Sequence, residues 1–421
     1  MSTATPQQTT RRAARPQQHW KPERPPGLSH VLLDGLHNGA RALVRRAKRR
    51  VALAVARSRP PAAASAAPNH SESPAAAPPA APDDVALDTP PGEPSDKPDL
   101  WGEMADRLAN CGGLGWLDNP WIVENYVFPQ IFGTTTCDRW GENAVRAFGV
   151  PLGGRWLSLA CGGAGLELQM AERGLFASMV AVDISTGAIE VGRREAASRG
   201  LTQIDFQQAD VNTISLPAES YDVVFMNMSL HHISALERVA AQINKTLRPG
   251  GVFLANEFVG PSQFQYPDQR LEMVRHRLSL LPERLRWNPI AKEIKREYPR
   301  YPRRHWVAYD PTESVRSDEI PRVLQRNFPA LRRYDYGGSI LNLALENIHH
   351  NFDLTSSEDM AYLRDLIEFE RSMIRSGILS SDFAYFVCPR GPRFVRLRER
   401  VRGRFDVRHR LTMTLRRHGL G

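Results

Sequence analysis

Leu157-Ser158-Leu159-Ala160-Cys161-Gly162-Gly163-Ala164-Gly165, followed by Ala181-Val182-Asp183 and then by Tyr221-Asp222-Val223-Val224-Phe225, decides the fold of this chain. The three stretches read as a strand, a glycine-rich turn opening a helix, a second strand ending in an acid, and a further strand. That layout builds a nucleotide-type cofactor site at the carboxyl edge of a parallel sheet. The glycines permit a tight turn and let the backbone approach a ligand with no Cβ in the way. Asp183, about 20 residues beyond the turn, is placed to accept from both hydroxyls of a ribose. A dinucleotide and an adenosyl cofactor both satisfy these residues.

Outward from this stretch the alternation continues. Strands are expected at Arg155–Ala160, Met179–Val182, Asp205–Gln208, Tyr221–Asn227 and Val252–Glu257, and helices at Leu166–Arg173, Thr186–Ser198 and Ala235–Leu247. Gly200 follows the second helix where a left-handed C-cap belongs. Arg248-Pro249-Gly250-Gly251 is a stop signal for the third. Strands alternating with helices imply right-handed crossovers and a doubly wound parallel sheet, an α/β Rossmann-like class. Beyond Gly260 a helix is expected over Pro311–Phe328, a strand over Leu331–Tyr336, mostly helix over Asn342–Gly377 and a last apolar strand over Phe383–Cys388.

The 421 residues then divide by composition. Residues 1–97 are rich in Pro, Ala, Ser and Gln and have little to bury, so they read as disordered. Within them Leu36, Ala40, Leu43, Val44, Ala47, Val51, Ala54 and Val55 recur at helical spacing among arginines, a basic amphipathic helix near 31–57. That helix reads as a solvated segment, as a contact for an anionic membrane surface, or as a dock for a partner or RNA. Residues 98–150 carry Trp101, Trp116, Trp121, Tyr126, Phe128, Phe132 and Trp140, a helical cap that packs the core or walls a substrate pocket. Residues 151–262 form the cofactor core, 263–390 hold lid insertions and edge strands, and 391–421 form a basic tail.

The net charge of +9 is concentrated in the N-terminal segment and the tail and says little about the site. The four cysteines, Cys111, Cys137, Cys161 and Cys388, have neither metal-ligand spacing nor the density of a disulfide scaffold, which fits a reducing cytoplasm. No apolar run approaches the roughly 20 residues of a membrane span, and no secretory signal is visible.

The set of segments resembles a class I S-adenosylmethionine-dependent methyltransferase. Leu157–Gly165, Val180–Ser185, Gln208-Ala209-Asp210, Tyr221–Phe225 leading into Leu230-His231-His232-Ile233, and Leu247–Gly251 before a strand match that family in order and spacing. The resemblance implies a seven-stranded sheet closed by an antiparallel edge pair, and S-adenosylmethionine as cofactor. It implies that Ala160, Cys161, Gly162 and Gly163 line the methionine and ribose side. Asp183 would bind the ribose, Ile184 would flank the adenine, and Asp210 and Val211 would edge it. Asn227 and Met228 would face the transferring methyl. Ser158 departs from the family's usual acid, and Ala160 and Ala164 from its glycines; alanine serves there if φ stays negative.

A hydroxyl acceptor needs its proton removed. His231, His232 and Glu257 are the candidates at the carboxyl edge, each with packing or capping as the alternative reading. Adjacent histidines should point apart, and no nearby partner completes a site, so no metal is expected. Cys161 reads as a small packing residue. Tyr266 and Arg316 are the candidate substrate contacts, on polar loops that also include Gly337-Gly338-Ser339. The lid insertions favour a small-molecule or glycan acceptor, methylated at oxygen. The competing readings are a nucleic-acid or membrane-surface binding protein with a degenerate core, and a nicotinamide dehydrogenase, which position 160 and the Leu-Arg-Pro-Gly-Gly turn disfavour.

Overall fold

A computed structural model describes residues 99, 102–103, 114–134 and 140–390. The amphipathic segment near 31–57, the rest of 1–97, Trp101, Cys111, Cys137 and the basic tail lie outside the described residues. Seven strands form the main sheet: β1 Arg155–Leu159, β2 Ser178–Asp183, β3 Ile204–Gln208, β4 Tyr221–Asn227, β5 Leu247–Phe258, β6 Arg332–Gly337 and β7 Phe383–Pro389. Their spatial order is 3-2-1-4-5-7-6. The first five are mutually parallel, and β7 runs antiparallel to both β5 and β6. This is a Rossmann-like, mostly parallel seven-stranded sheet with the expected antiparallel edge pair. The order reverses between β1 and β4, so the loops after these strands diverge and open a crevice at their carboxyl ends.

Side-chain alternation along the strands feeds two cores. Trp156, Ala181, Val223, Phe225 and Leu254 enter one face. Leu157, Leu159, Val180, Val182, Val224, Met226, Phe253 and Ala255 enter the other. The helix Leu236–Thr246 buries Leu236, Val239, Ala240 and Ile243 on the second face. Fully burying an aliphatic or aromatic side chain contributes about 1.5–3 kcal/mol, so the alternation pins the register that carries the site loops.

The aromatic N-terminal segment packs the first core. Trp116 meets Phe383 edge-on at 5.3 Å, and Trp140 stacks on Tyr385 at 6.2 Å. Gly337-Gly338-Ser339 is a buried turn rather than a pocket loop. Glu370 accepts there from the amides of Gly338 (2.8 Å), Ile340 (2.7 Å) and Leu341 (2.9 Å), and from the Tyr126 hydroxyl (2.9 Å). Gly338 has φ +85°, and a Cβ there would lie 2.2 Å from the Phe383 ring, so only glycine fits.

Two elements differ from expectation. β5 begins at Leu247, because Arg248–Gly251 forms an irregular start to the strand instead of a free turn. Gly250 N donates to Arg390 O and Arg390 N to Gly251 O, each at 2.9 Å. The helix expected from Pro311 starts only at Ser317, as a short 3-10 turn continuing into Ile320–Asn327. Residues 310–316 are instead pulled onto the sheet edge: Val315 N donates to His231 O (3.2 Å), and Gln263 N to Ser314 O (2.8 Å). No helix among the described residues is long and apolar enough to cross a membrane.

Candidate functional site

The turn after β1 is held from β2. Asp183 is 6% exposed and uses both carboxylate oxygens, accepting from Gly162 N at 2.7 Å and Ser185 N at 2.9 Å. Burial pushes its pKa up, and the two amides pull it down less than burial raises it. Gly162 takes φ +53°, with open space where a Cβ would be. Ala160 and Ala164 also take positive φ, +52° and +54°. The condition under which alanine serves without strain is therefore not met: the turn keeps a left-handed path without glycine, at about 1–2 kcal/mol per residue. Met228, after β4, is left-handed too, at φ +51°. Its amide donates to Asn256 O at 2.7 Å. Such strain persists only where surrounding contacts over-determine it, and it gathers at functional sites.

The missing acid at Ser158 has a counterpart on the following helix. The Ser158 hydroxyl donates to Glu167 Oε1 at 2.6 Å, beneath the turn, and Glu167 is 3% exposed. Burial pushes this carboxyl up, opposed by the Ser158 bond. Glu167 was not legible from spacing, since it reads as an ordinary position in a helix's first turn. Asp99 is a second such residue. It accepts from Ser185 Oγ (2.7 Å) and Gly187 N (2.8 Å), anchoring the loop after β2.

Around this turn, Ile184 stands 56% exposed beside the buried Asp183. Asp210 turns Oδ1 inward to Asn212 N (2.8 Å), and Val211 is buried in the second core. Asn227 Oδ1 accepts from Asn256 Nδ2 (3.0 Å), whose Oδ1 accepts from the Tyr336 hydroxyl (2.6 Å). Cys161 packs against the first core, and its thiol lies 3.5 Å from Gly162 O. Burial and the nearby Glu167 and Asp183 charges push its thiol well above the ordinary value, which suits a packing residue.

The second half of the site lies after β4 and β5. Glu257 is fully buried and accepts from Ser229 N (2.9 Å), Leu230 N (2.5 Å) and His231 Nδ1 (2.9 Å). The Ser229 hydroxyl reaches Leu159 O at 3.4 Å, so this loop adjoins the start of the cofactor turn. His231 and His232 do not point apart. The 3-10 turn Leu230–His232 brings their rings to 4.3 Å. Residues 310–316 then supply a partner from far away in sequence. Glu313 lies 3.7 Å from His231 Nε2 and 3.9 Å from His232 Nε2. His232 Nδ1 lies 3.2 Å from Thr312 Oγ1, which donates to Asp310 Oδ1 at 2.7 Å. Burial pushes His231 down, but Glu257, Glu313 and Asp310 outweigh it and raise its pKa. Burial and the neighbouring His231 hold His232 down at about 2, a neutral imidazole.

The candidate substrate contacts are placed differently. Arg316 is engaged by carboxylates, at 2.7 Å to Glu237 and 2.8 Å to Glu319, and donates to Ser234 O at 2.9 Å. It clamps the loop 310–316 to the helix Leu236–Thr246 and is not presented to a ligand. Tyr266 is fully buried within the insertion after β5, stacked on Phe264 at 6.2 Å and edge-on to Tyr298 at 5.8 Å. Phe264 lies 5.3 Å from Phe258 and 5.0 Å from Trp306. Phe258 itself is 6.2 Å from His231.

Residues 157–255 match the methyltransferase domain family. The demethylmenaquinone methyltransferase of Symbiobacterium thermophilum is 31% identical over 146 residues, which are 33% of this chain and 57% of that protein. A ubiquinone/menaquinone biosynthesis C-methyltransferase of Azotobacter vinelandii is 30% identical over 125 residues, 29% of this chain and 49% of that one. The chain therefore spans about half the length of the curated relatives it matches. Among solved structures, a Haemonchus contortus phosphoethanolamine N-methyltransferase in complex with S-adenosyl-L-methionine is 16% identical. It covers 69% of this chain and 60% of its own, with a TM-score of 0.38.

Proposed function

We propose that this chain, whose core is a class I S-adenosylmethionine-dependent methyltransferase domain, methylates a planar small molecule bearing an ionisable hydroxyl. The observation that carries the reading is the juxtaposition of two half-sites through Ser229 and Leu159. One is a carboxylate-held glycine turn; the other is a buried histidine–carboxylate cluster.

The residues present fit the cofactor. Asp183 is fixed by two amides beside the exposed apolar Ile184, a pairing suited to a ribose hydroxyl pair and an adenine face. Gly162 has no side chain to obstruct approach. In this reading Ala160, Cys161 and Gly163 line the turn, Asp210 and Val211 edge the base, and Asn227 and Met228 face the methyl. When bound, the cofactor supplies a methyl group on a sulfonium, a good leaving group that asks the protein mainly for alignment and exclusion of water.

The protein's chemical contribution is at the acceptor. His231, His232 and Glu313 handle the charge of the acceptor hydroxyl, and Glu257 is a positioning residue that fixes His231. Phe258, Phe264 and Trp306 offer aromatic faces to a flat acceptor. Ionising a hydroxyl on an aromatic ring activates both the oxygen and the conjugated ring carbon. Oxygen is the first acceptor atom we assign. The ring carbon is the second, favoured by relatives named as C-methyltransferases.

The test is incubation of the full chain with 13C-methyl-labelled cofactor and a panel of hydroquinones, phenols and sugars. Mass spectrometry reads incorporation, and the 13C shift separates O-methyl from C-methyl. Incorporation into hydroxyarenes that is lost in Asp183→Ala supports the reading. Cofactor binding with no transfer to any hydroxyarene overturns it.

A further inference from the structure

We propose that His231 Nε2, His232 Nε2 and a Glu313 carboxylate oxygen form a binding site for a first-row divalent metal ion of the zinc class. The donor atoms of these three residues all lie within 4.8 Å of one another. Donors around a tetrahedral ion at about 2.0–2.1 Å stand about 3.4 Å apart. Glu313 Oε1 lies 3.7 Å from His231 Nε2 and its Oε2 lies 3.9 Å from His232 Nε2, both wider than the donor spacing of a loaded site, so the carboxylate would draw in and turn to present one oxygen to the ion.

Two further observations point to an ion rather than to a packed polar cluster. Each imidazole is oriented from behind. His231 Nδ1 is held by Glu257 at 2.9 Å, and His232 Nδ1 by Thr312 at 3.2 Å, with Asp310 behind Thr312. A metal-ligating histidine characteristically has its second nitrogen tied to a carboxylate or other acceptor, which fixes tautomer and ring direction. The charge balance is also one-sided. Glu257 and Asp310 are 0% and 6% exposed, and the ion-pair partners of Glu257, Asp310 and Glu313 are His231 and His232. Among the described residues, the nearest arginine in sequence, Arg316, is committed to Glu237 and Glu319. Buried carboxylates are expensive unless paired with a cation.

Two histidines and one carboxylate are the ligand set of open, catalytic-type sites, in which the remaining position takes water or a substrate oxygen. That position would fall to the acceptor's hydroxyl oxygen, and this role rests on the reading given under Proposed function. Binding of the ion itself does not depend on that reading.

The experiment is calorimetric titration of the metal-stripped full-length chain with Zn2+, beside Glu257→Gln, His232→Ala and Glu313→Gln. S-adenosylmethionine binding by the same samples verifies that each is folded. One equivalent of ion is expected, weakened about 10–100-fold by Glu257→Gln, which loosens only the support of a ligand. It should be weakened further by either ligand substitution. Failure of the folded wild type to bind one equivalent overturns the site, as does binding unchanged in both His232→Ala and Glu313→Gln. In either case retained cofactor binding and methyl transfer leave the methyltransferase reading standing. Loss of transfer with intact ion binding would overturn that reading and not the metal site.

Discussion

Glu257→Gln removes one charge and almost no volume from the point where the two half-sites meet. The carboxylate accepts three hydrogen bonds, two from the backbone of the loop after β4 and one from His231. Bonds to a charged acceptor contribute about 1.5–3 kcal/mol each, against about 1 kcal/mol for neutral pairs. Glutamine can keep the two amides on its Oε1 as neutral bonds. Its amide nitrogen then faces His231 Nδ1, so the imidazole must give up the Nδ1–H tautomer or turn away. Summing these changes gives a loss of about 2–4 kcal/mol. At roughly 2–4 °C per kcal/mol for a domain of this scale, the melting temperature should fall by about 4–16 °C. Turnover should fall by about 10²–10⁴, because an imidazole in the wrong tautomer loses its orienting partner. Cofactor affinity should stay within about twofold, since Glu257 and Asp183 share no hydrogen-bond partner. Differential scanning fluorimetry, calorimetry with the cofactor, and product release with an acceptor from the hydroxyarene panel measure the three quantities. A variant with wild-type turnover and an unshifted melt would refute the claim that Glu257 positions the site.

Asp183→Ala should weaken cofactor binding at least about tenfold by calorimetry, because in the proposed reading it deletes the ribose acceptor, and it frees the amides of Gly162 and Ser185. Arg316→Ala should leave the KM for the acceptor within about twofold and lower the melt only slightly, since its partially exposed ion pairs are worth about 0–1 kcal/mol each; a large rise in KM would restore Arg316 to the substrate. Glu370→Ala strips the acceptor from three buried amides and the Tyr126 hydroxyl, and should cost about 3–5 kcal/mol in chemical denaturation. Burial holds Lys295 down at about 8 from its ordinary 10.5, although its ammonium donates to Leu343 O and Glu346 O. The folded state therefore binds fewer protons than the unfolded state between these values. Stability should rise with pH across about 8 to 10.5, by about 3 kcal/mol relative to Lys295→Met, and the difference should be flat below pH 7.

The sheet and the cofactor turn were legible because local signals and the global fold agree there. Continuous apolar strands, a glycine turn and Asp183 each specify the same geometry, and Thr186–Ser198 and Tyr221–Asn227 fall at their expected bounds. The acceptor side was not legible, for three separate physical reasons. His231 and His232 diverge on a strand or a regular helix, but the tight 3-10 turn, pinned by Glu257 on two amides, brings the rings together. Pro311 looked like the first residue of a helix. The Asp310 carboxylate instead captures the Thr312 amide at 2.9 Å, an Asx turn that competes with helix and releases Glu313 toward the histidines. Arg316 looked like a ligand contact because its near neighbour Glu319 alone does not fix where it points, whereas Glu237, which ties it to the helix Leu236–Thr246, lies 79 residues away. In each case the deciding contact is long-range or depends on a turn of two or three residues, while the signals that sequence carries well are periodic ones. The two alanines in the cofactor turn show the same limit from the other side. Their left-handed backbone is imposed by the strand–helix junction around them and overrides the local preference that argued for negative φ.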